Sequence, residues 1–306
     1  MSVIYGLENV RSDSAERAVA IGVFDGVHWG HRAVFARLAA EAKEFGLQSL
    51  VVTFEDHPSQ LLAPSRAPRY ISTLDQRIEL IETTGVDSVV VADFSPALAR
   101  MPREEFLKDL LKGQLRTKRI VVGANFQFGR NREGDIRYLA EAAPVLGIGV
   151  VVVPAVIVDN GPVSSTRIRA LLQRGDVEEA SKLLGRRFTL RGSVVTGRQI
   201  GRTIGFPTAN IQGGPHQLIP ARGVYGVETT IDNTLYTGVC SIGVRPTFGG
   251  EGVTVEVHLL NFQGNIYGRR LDVVFCRRLR DEMKFSSPER LVEQIKEDLR
   301  HASKPC

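Results

Sequence analysis

Val19-Ala20-Ile21-Gly22-Val23-Phe24-Asp25-Gly26-Val27-His28-Trp29-Gly30-His31 decides the fold of the first half of this 306-residue chain. Residues 19–24 read as a strand, and Phe35, Leu38, Ala39 and Ala42 recur at helical spacing over about 32–45, with Gly46 as the stop. A strand that turns through glycines straight into a helix is the opening of a βα unit. Glycines at that turn let the backbone approach a phosphate, and the helix N-terminus adds about half a positive charge. Two histidines three apart at such an edge can both donate hydrogen bonds to phosphate oxygens. Trp29 reads as packing.

Working outward, the same grammar repeats. Strands at 49–54, 88–94, 119–123 and 148–153 alternate with helices at 74–84, from Pro102 onward, and at 135–143. These strands are rich in Val and Ile without polar alternation, which suits a parallel sheet covered on both faces. The expected fold is an α/β doubly wound domain with strand order 3-2-1-4-5. Two short helices follow, at 167–174 and 177–184, stopped by Gly175 and Gly185. Beyond Arg187 the pattern becomes short β segments with Gly and Pro turns, at 190–197, 223–231, 235–242, 253–260 and 270–278. Asp232-Asn233 marks a tight hairpin. Antiparallel strands without intervening helices predict a small closed barrel, and Ser287-Pro288-Glu289 opens a terminal helix to about His301. The expected domains are therefore 1–186 and 187–306.

Composition narrows the function classes. Hydrophobic residues are 43% and charged residues 24%, which excludes a disordered or collagen-like chain. No apolar run approaches the ~20 residues of a membrane helix, and residues 1–11 lack a basic-then-apolar signal, so a cytoplasmic protein without membrane attachment is expected. Residues 1–186 hold 23 basic and 23 acidic side chains, and residues 187–306 hold 16 and 11. That local excess suits a phosphorylated small ligand, and without a basic stripe it does not suit nucleic acid. Cys240, Cys276 and Cys306 are expected to be free thiols in a reducing compartment, too far apart in sequence for a zinc site. A monomer or weak homo-oligomer is expected.

Further candidate site residues follow from topology. In doubly wound sheets ligands lie beyond the carboxyl ends of the strands where strand order reverses. Gly123-Ala124-Asn125-Phe126-Gln127-Phe128-Gly129 leaves the fourth strand there, and Val163-Ser164-Ser165-Thr166-Arg167-Ile168-Arg169 starts a helix after the fifth. The hydroxyls of the second segment suit helix capping equally well. Arg167 and Arg169 in a first turn are unusual unless an anion binds. In the second half, Gly197, Gly201 and Gly205 make a loop, and Thr208 and Asn210 offer oxygen ligands of the kind that hold magnesium beside phosphates; a turn entering a strand, which Pro207 alone explains, is the alternative. Glu256 shares a strand face with Thr254 and His258, opposite Val255 and Val257. From these residues alone, a general base and a solvated strand face stand even.

The motifs, taken in order, resemble the bacterial bifunctional riboflavin kinase/FAD synthetase family. The first half is similar to its adenylyltransferase module through 22–31, 123–129 and 164–169. The second is similar to its flavokinase module through Gly-Phe-Pro-Thr-Ala-Asn at 205–210, Gly-Val-Arg-Pro-Thr-Phe at 243–248, 256–262 and 280–285. The resemblance implies that riboflavin is phosphorylated to FMN with ATP and magnesium, and that FMN is adenylylated with ATP to FAD and pyrophosphate. It implies that Gly22, Phe24, His28, His31, Asn125, Ser164, Thr166 and Arg169 bind ATP for adenylyl transfer, with His28 and His31 stabilising the transition state. In the kinase it implies ATP contacts from Gly201, Arg202, Thr208 and Asn210, magnesium on Thr208 and Asn210, Glu256 as base and Arg280 on the flavin side.

Overall fold

Strands β1 (Ser2–Tyr5), β2 (Arg17–Ile21), β3 (Gln48–Phe54), β4 (Ser88–Ala92), β5 (Thr117–Gly123) and β6 (Gly149–Val153) form one sheet. Its order is β1-β4-β3-β2-β5-β6 and every pairing is parallel. The protein is described by a computed structural model covering residues 1–10, 15–197, 205–214, 216–247, 250–303 and 306. The chain packs as two compact units, Met1–Pro68 with Leu74–Ser164, and Arg69–Thr73 with Ser165–Cys306.

In the first unit, strand alternation feeds two cores. Val19, Ile21, Leu50, Val52, Ile120 and Val122 face one cluster, while Ala18, Ala20, Val51 and Val121 face the other. Burying each such Val or Leu side chain contributes about 1.5–3 kcal/mol, so a strand apolar at every position is stable only with helices on both sides. Helix α1 (Trp29–Phe45) covers one face with Val34, Phe35, Leu38 and Ala42. Helix α2 (Leu74–Glu82) joins it through Ile81. On the other face lie the π-helical segment Phe106–Gln114, through Leu107, Leu110 and Leu111, and helix α3 (Ile136–Val145), through Leu139 and Ala143. Because β2 lies between β3 and β5, the chain winds outward in both directions from it. The carboxyl ends of β2 and β5 therefore form the switch-point crevice. Two elements depart from the expectation. The first strand stops at Ile21, so Gly22–Phe24 are loop, and β1 adds an edge strand that the sequence pattern does not announce. A small hairpin, β7 (Ile157–Val158) with β8 (Gly161–Pro162), leads out of the sheet.

The second unit opens with helices α4 (Ser165–Arg174) and α5 (Val177–Leu184). Then come β9 (Phe188–Val195), β10 (Ala209–Gly213), β11 (Gly223–Ile231), β12 (Thr234–Thr247), β13 (Gly250–Leu259) and β14 (Arg270–Arg280). They close into an antiparallel barrel in the order β10-β13-β12-β11-β14-β9. Phe188, Tyr225 and Phe275 fill it, with ring centroids 5.3 and 5.7 Å apart. The Tyr225 hydroxyl donates to Ala221 O at 2.6 Å, and burial pushes its pKa up to about 12. Asp232 and Asn233 turn the β11–β12 hairpin with φ of 49° and 63°, the left-handed pair a two-residue turn requires. The Arg69–Thr73 strap is held by Tyr70 N–H to His216 O and Leu218 N–H to Tyr70 O, at 2.8 and 2.7 Å. Helix α6 (Pro288–Ala302), capped by Ser287, lays Leu299 and Ala302 on Val224 and Val239.

The three cysteines are not all free thiols, contrary to the sequence expectation. Cys276 and Cys306 are joined as a disulfide with Cα atoms 5.0 Å apart, and Cys240 is a buried free thiol. Helix α6 returns the chain terminus to β14, a proximity that a sequence separation of 30 does not reveal. Glu228 offers a carboxylate oxygen within 4.8 Å of both sulfurs, so distance along the chain was also no guide to clustering in space.

Candidate active sites

In the α/β unit the turn between β2 and α1 is built from uncommon backbone. Phe24, Gly26 and Val27 have φ of 52°, 81° and 39°. The turn ends at His28, which caps α1: His31 N–H donates to His28 Nδ1 at 3.4 Å. With Nδ1 an acceptor, the neutral ring carries its proton on Nε2. The His28 and His31 rings stack with centroids 3.6 Å apart. Gly30 makes this possible. A Cβ there would lie 3.1 Å from the His28 ring and 3.7 Å from Val163 O. The Phe24 ring is buried against Phe35 and stands edge-on to His31 at 5.3 Å.

Gly22 at the end of β2 and Asn125 beyond β5 line one cavity of about 680 Å³. Its walls are aromatic, with Phe54, Phe94, Phe126 and Phe128 among them. The Phe126 and Phe128 rings stack at 5.5 Å. The sequence reading placed Asn125 by topology and missed the cavity. The available signal was Phe at the carboxyl ends of successive strands, where apolar side chains have no sheet left to cover. Ser164 is the last residue of this unit, whereas Thr166 and Arg169 belong to α4 of the second. Arg169 Nε donates to Arg69 O at 2.8 Å.

In the barrel unit, strand register assembles a second group. Asn210 on β10 lies opposite Glu256 on β13. Thr208 Oγ1 donates to Glu256 Oε2 at 3.5 Å, and His258 Nδ1 donates to Pro207 O at 2.8 Å. Val255 and Val257 are each 2% exposed on the inner face. The Glu256 face is thus covered by the 207–210 segment, and open solvent does not describe it. Thr208 also borders a cavity of about 520 Å³ with Pro207, Val194, Phe262, Asn265 and Tyr267. Thr208 and Asn210 present hard oxygen donors beside the Glu256 carboxylate, and that pair of donors fits magnesium. Gly201 and Arg202 lie outside the described residues. Arg280 gives Nε and Nη2 to the buried Asp298 at 2.8–3.1 Å and Nη1 to Asp281 O at 2.9 Å.

A switch-point crevice with a histidine-capped helix, followed by a barrel with hydroxyl, amide and carboxylate in register, defines a two-module, nucleotide-dependent transferase. Comparison with known proteins gives the particular family. The FAD synthetase family model matches residues 10–167 and the riboflavin kinase model matches residues 184–305. A bifunctional riboflavin kinase/FMN adenylyltransferase of Pseudomonas fluorescens is 39% identical over 98% of this chain and 96% of its own. Its counterparts in Escherichia coli K12 and Bacillus subtilis 168 are 37% and 34% identical over 97% and 96% of this chain, and 96% and 93% of theirs. A crystal structure from Streptococcus pneumoniae, named as a macrolide-efflux protein, superposes over 100% of both chains with a TM-score of 0.91 and 32% identity. Among the described residues no helix is long and apolar enough to cross a membrane. The chain belongs to the bifunctional riboflavin kinase/FMN adenylyltransferase family.

Proposed function

We propose that this chain phosphorylates riboflavin to FMN with ATP, then adenylylates FMN with a second ATP to give FAD and pyrophosphate. The relatives carry these two activities in their names, and both family models match side by side. We assign adenylyl transfer to residues 1–186 and the kinase to 187–306. The observation that carries the adenylyl assignment is the aromatic cavity of about 680 Å³ that ends at Gly22 and Asn125. It offers stacking walls for a flavin ring and a polar rim for phosphates.

In adenylyl transfer an FMN phosphate oxygen attacks the α-phosphorus of ATP, and the bond to pyrophosphate breaks. Negative charge gathers on the departing group. His28 Nε2–H, His31 and the N-terminus of α1 supply positive field there, and Asn125 adds an amide donor. Ser164, Thr166 and Arg169 complete the ATP contacts in this reading.

In the kinase, Glu256 takes the proton of the riboflavin 5′-hydroxyl as its oxygen attacks the γ-phosphorus and ADP leaves. Thr208 and Asn210 hold the nucleotide with Gly201 and Arg202. Magnesium on Thr208 and Asn210 would neutralise phosphate charge when bound. Arg280, tied to Asp298, carries the flavin-side segment 280–285. We read the protein as a cytoplasmic monomer or weak homo-oligomer acting without nucleic acid or membrane, a reading supported by a basic excess of only five charges, all of it in 187–306. Light scattering tests the oligomeric state.

The deciding experiment incubates the pure chain with riboflavin, ATP and magnesium and resolves flavins by chromatography. FMN appears first and FAD after it. Absence of both products, with supplied FMN also unconverted, would overturn the assignment.

A further inference from the structure

The turn that carries His28 and His31 adopts backbone conformations that persist only where the surroundings over-determine them. Val27, β-branched with φ of 39°, is the clearest case. Two backbone bonds help, Gly22 N–H to Val52 O and Val27 N–H to Phe24 O, both at 3.0 Å. The other restraint comes from beneath the turn. The Val23 carbonyl accepts from Thr53 Oγ1 at 3.0 Å and from Arg77 Nη1 at 3.0 Å. Arg77 Nη1 also donates to Thr53 Oγ1 at 3.0 Å and to Phe54 O at 2.7 Å. Arg77 is 1% exposed and Thr53 0%, so a guanidinium from α2 and a hydroxyl from β3 meet at one carbonyl in the core. A surface role does not explain a buried charge in that position.

We propose that Arg77 and Thr53 are positioning residues for adenylyl transfer, clamping the Val23 carbonyl so that the turn holds His31 and His28 in their reactive geometry. The inference rests on the adenylyltransferase reading of this unit. The path is short. Val23 precedes Phe24, the Phe24 ring stands edge-on to His31 at 5.3 Å, and His31 stacks on His28 at 3.6 Å. Releasing the carbonyl lets Phe24 shift and carries both imidazoles with it. A misplacement of about 1 Å at such a site lowers rate on the order of 100-fold. Neither side chain needs to touch substrate.

The test uses the full chain with Thr53→Val, Arg77→Met, Arg77→Lys and the double variant Thr53→Val/Arg77→Met. FAD formation from supplied FMN is measured for kcat and for KM of ATP, and FMN formation from riboflavin is measured in parallel. The expected kcat for FAD falls on the order of 10-fold in Thr53→Val and 10- to 100-fold in Arg77→Met, within the range for lost positioning. KM changes little, and FMN formation is unchanged. Arg77→Lys recovers part of the loss. The double variant is no worse than Arg77→Met, because both groups act through one acceptor; independent structural effects would add. Thr53→Val with native kcat for FAD overturns the clamp, and so do additive losses. If Arg77→Met does not fold, Thr53→Val and Arg77→Lys decide by the same criteria. If the unaltered chain makes no FAD from FMN, the adenylyltransferase reading itself fails and the proposal with it.

Discussion

The two proposed sites arrange phosphate chemistry by opposite means. In the α/β unit the chemistry is local: ten consecutive residues, 22–31, leave a strand, turn through left-handed backbone and cap a helix with His28. In the barrel it is assembled by register. Thr208 and Asn210 meet Glu256 across 48 and 46 residues of chain because β10 pairs with β13. A local site can be read from a motif, whereas a site made by register can be read only once the sheet is known. The difference also implies that each unit can lose its chemistry without the other noticing.

Glu256→Gln should give the largest effect on that comparison. Gln keeps the size and loses the basicity, so kcat for FMN formation should fall at least ~100-fold, within the 10²–10⁴ range for a general base. FAD synthesis from supplied FMN should persist. Near-normal FMN formation would return Glu256 to a structural role on its strand. His28→Ala is the mirror experiment, with FAD formation falling roughly 100- to 1,000-fold through loss of one donor to developing charge and FMN formation intact. Equal loss of both activities would break the comparison.

Gly30→Ala probes the local device more gently. The new Cβ would crowd the His28 ring at 3.1 Å, and FAD formation should drop on the order of 10-fold through displaced geometry. A native rate in steady-state assays would mean that the ring has room to yield.

Much of this was legible because the residues that matter were contiguous. Val and Ile in β2 to β6 gave a parallel sheet its signature, and the order β4-β3-β2-β5-β6 matched the expectation. β10 stood in the sequence only as an alternative, a strand entered by the Pro207 turn, because Asn210, Gln212 and Gly213 dilute it and Ile211 is its buried side chain. β1 was missed because it is a short edge strand, with Val3 and Tyr5 exposed. The spacing of Phe106, Leu107, Leu110 and Leu111 gives no hint of π winding. The aromatic cavity and the Arg77 contacts escaped for a shared reason: the cavity gathers side chains from several strand ends and loops, and Arg77 reaches from α2 to β3, across separations that no spacing rule connects.

Truncation compares the units as folding bodies. Helix α5 buries Val177, Leu183 and Leu184 within the barrel's own unit, each contributing about 1.5–3 kcal/mol. A fragment of residues 187–306 should therefore unfold at lower urea than one of residues 165–306. Equal midpoints would show that α4 and α5 do not brace the barrel. Thiol titration gives the smallest readout. Burial raises the Cys240 thiol, so the native chain should react with no thiol reagent at pH 8, the unfolded chain with one equivalent, and the reduced unfolded chain with three. Three reactive thiols without reductant would remove the Cys276–Cys306 link.

The most direct measurement of two independent sites on one chain is complementation. Glu256→Gln and His28→Ala chains are incubated separately and then together with riboflavin, ATP and magnesium, and FAD is followed by chromatography. Separately, neither should make appreciable FAD from riboflavin. Mixed, the His28→Ala chain should supply FMN that the Glu256→Gln chain converts to FAD. A mixture that accumulates FMN without FAD, or makes neither, would contradict the assignment of the two reactions to separate sites.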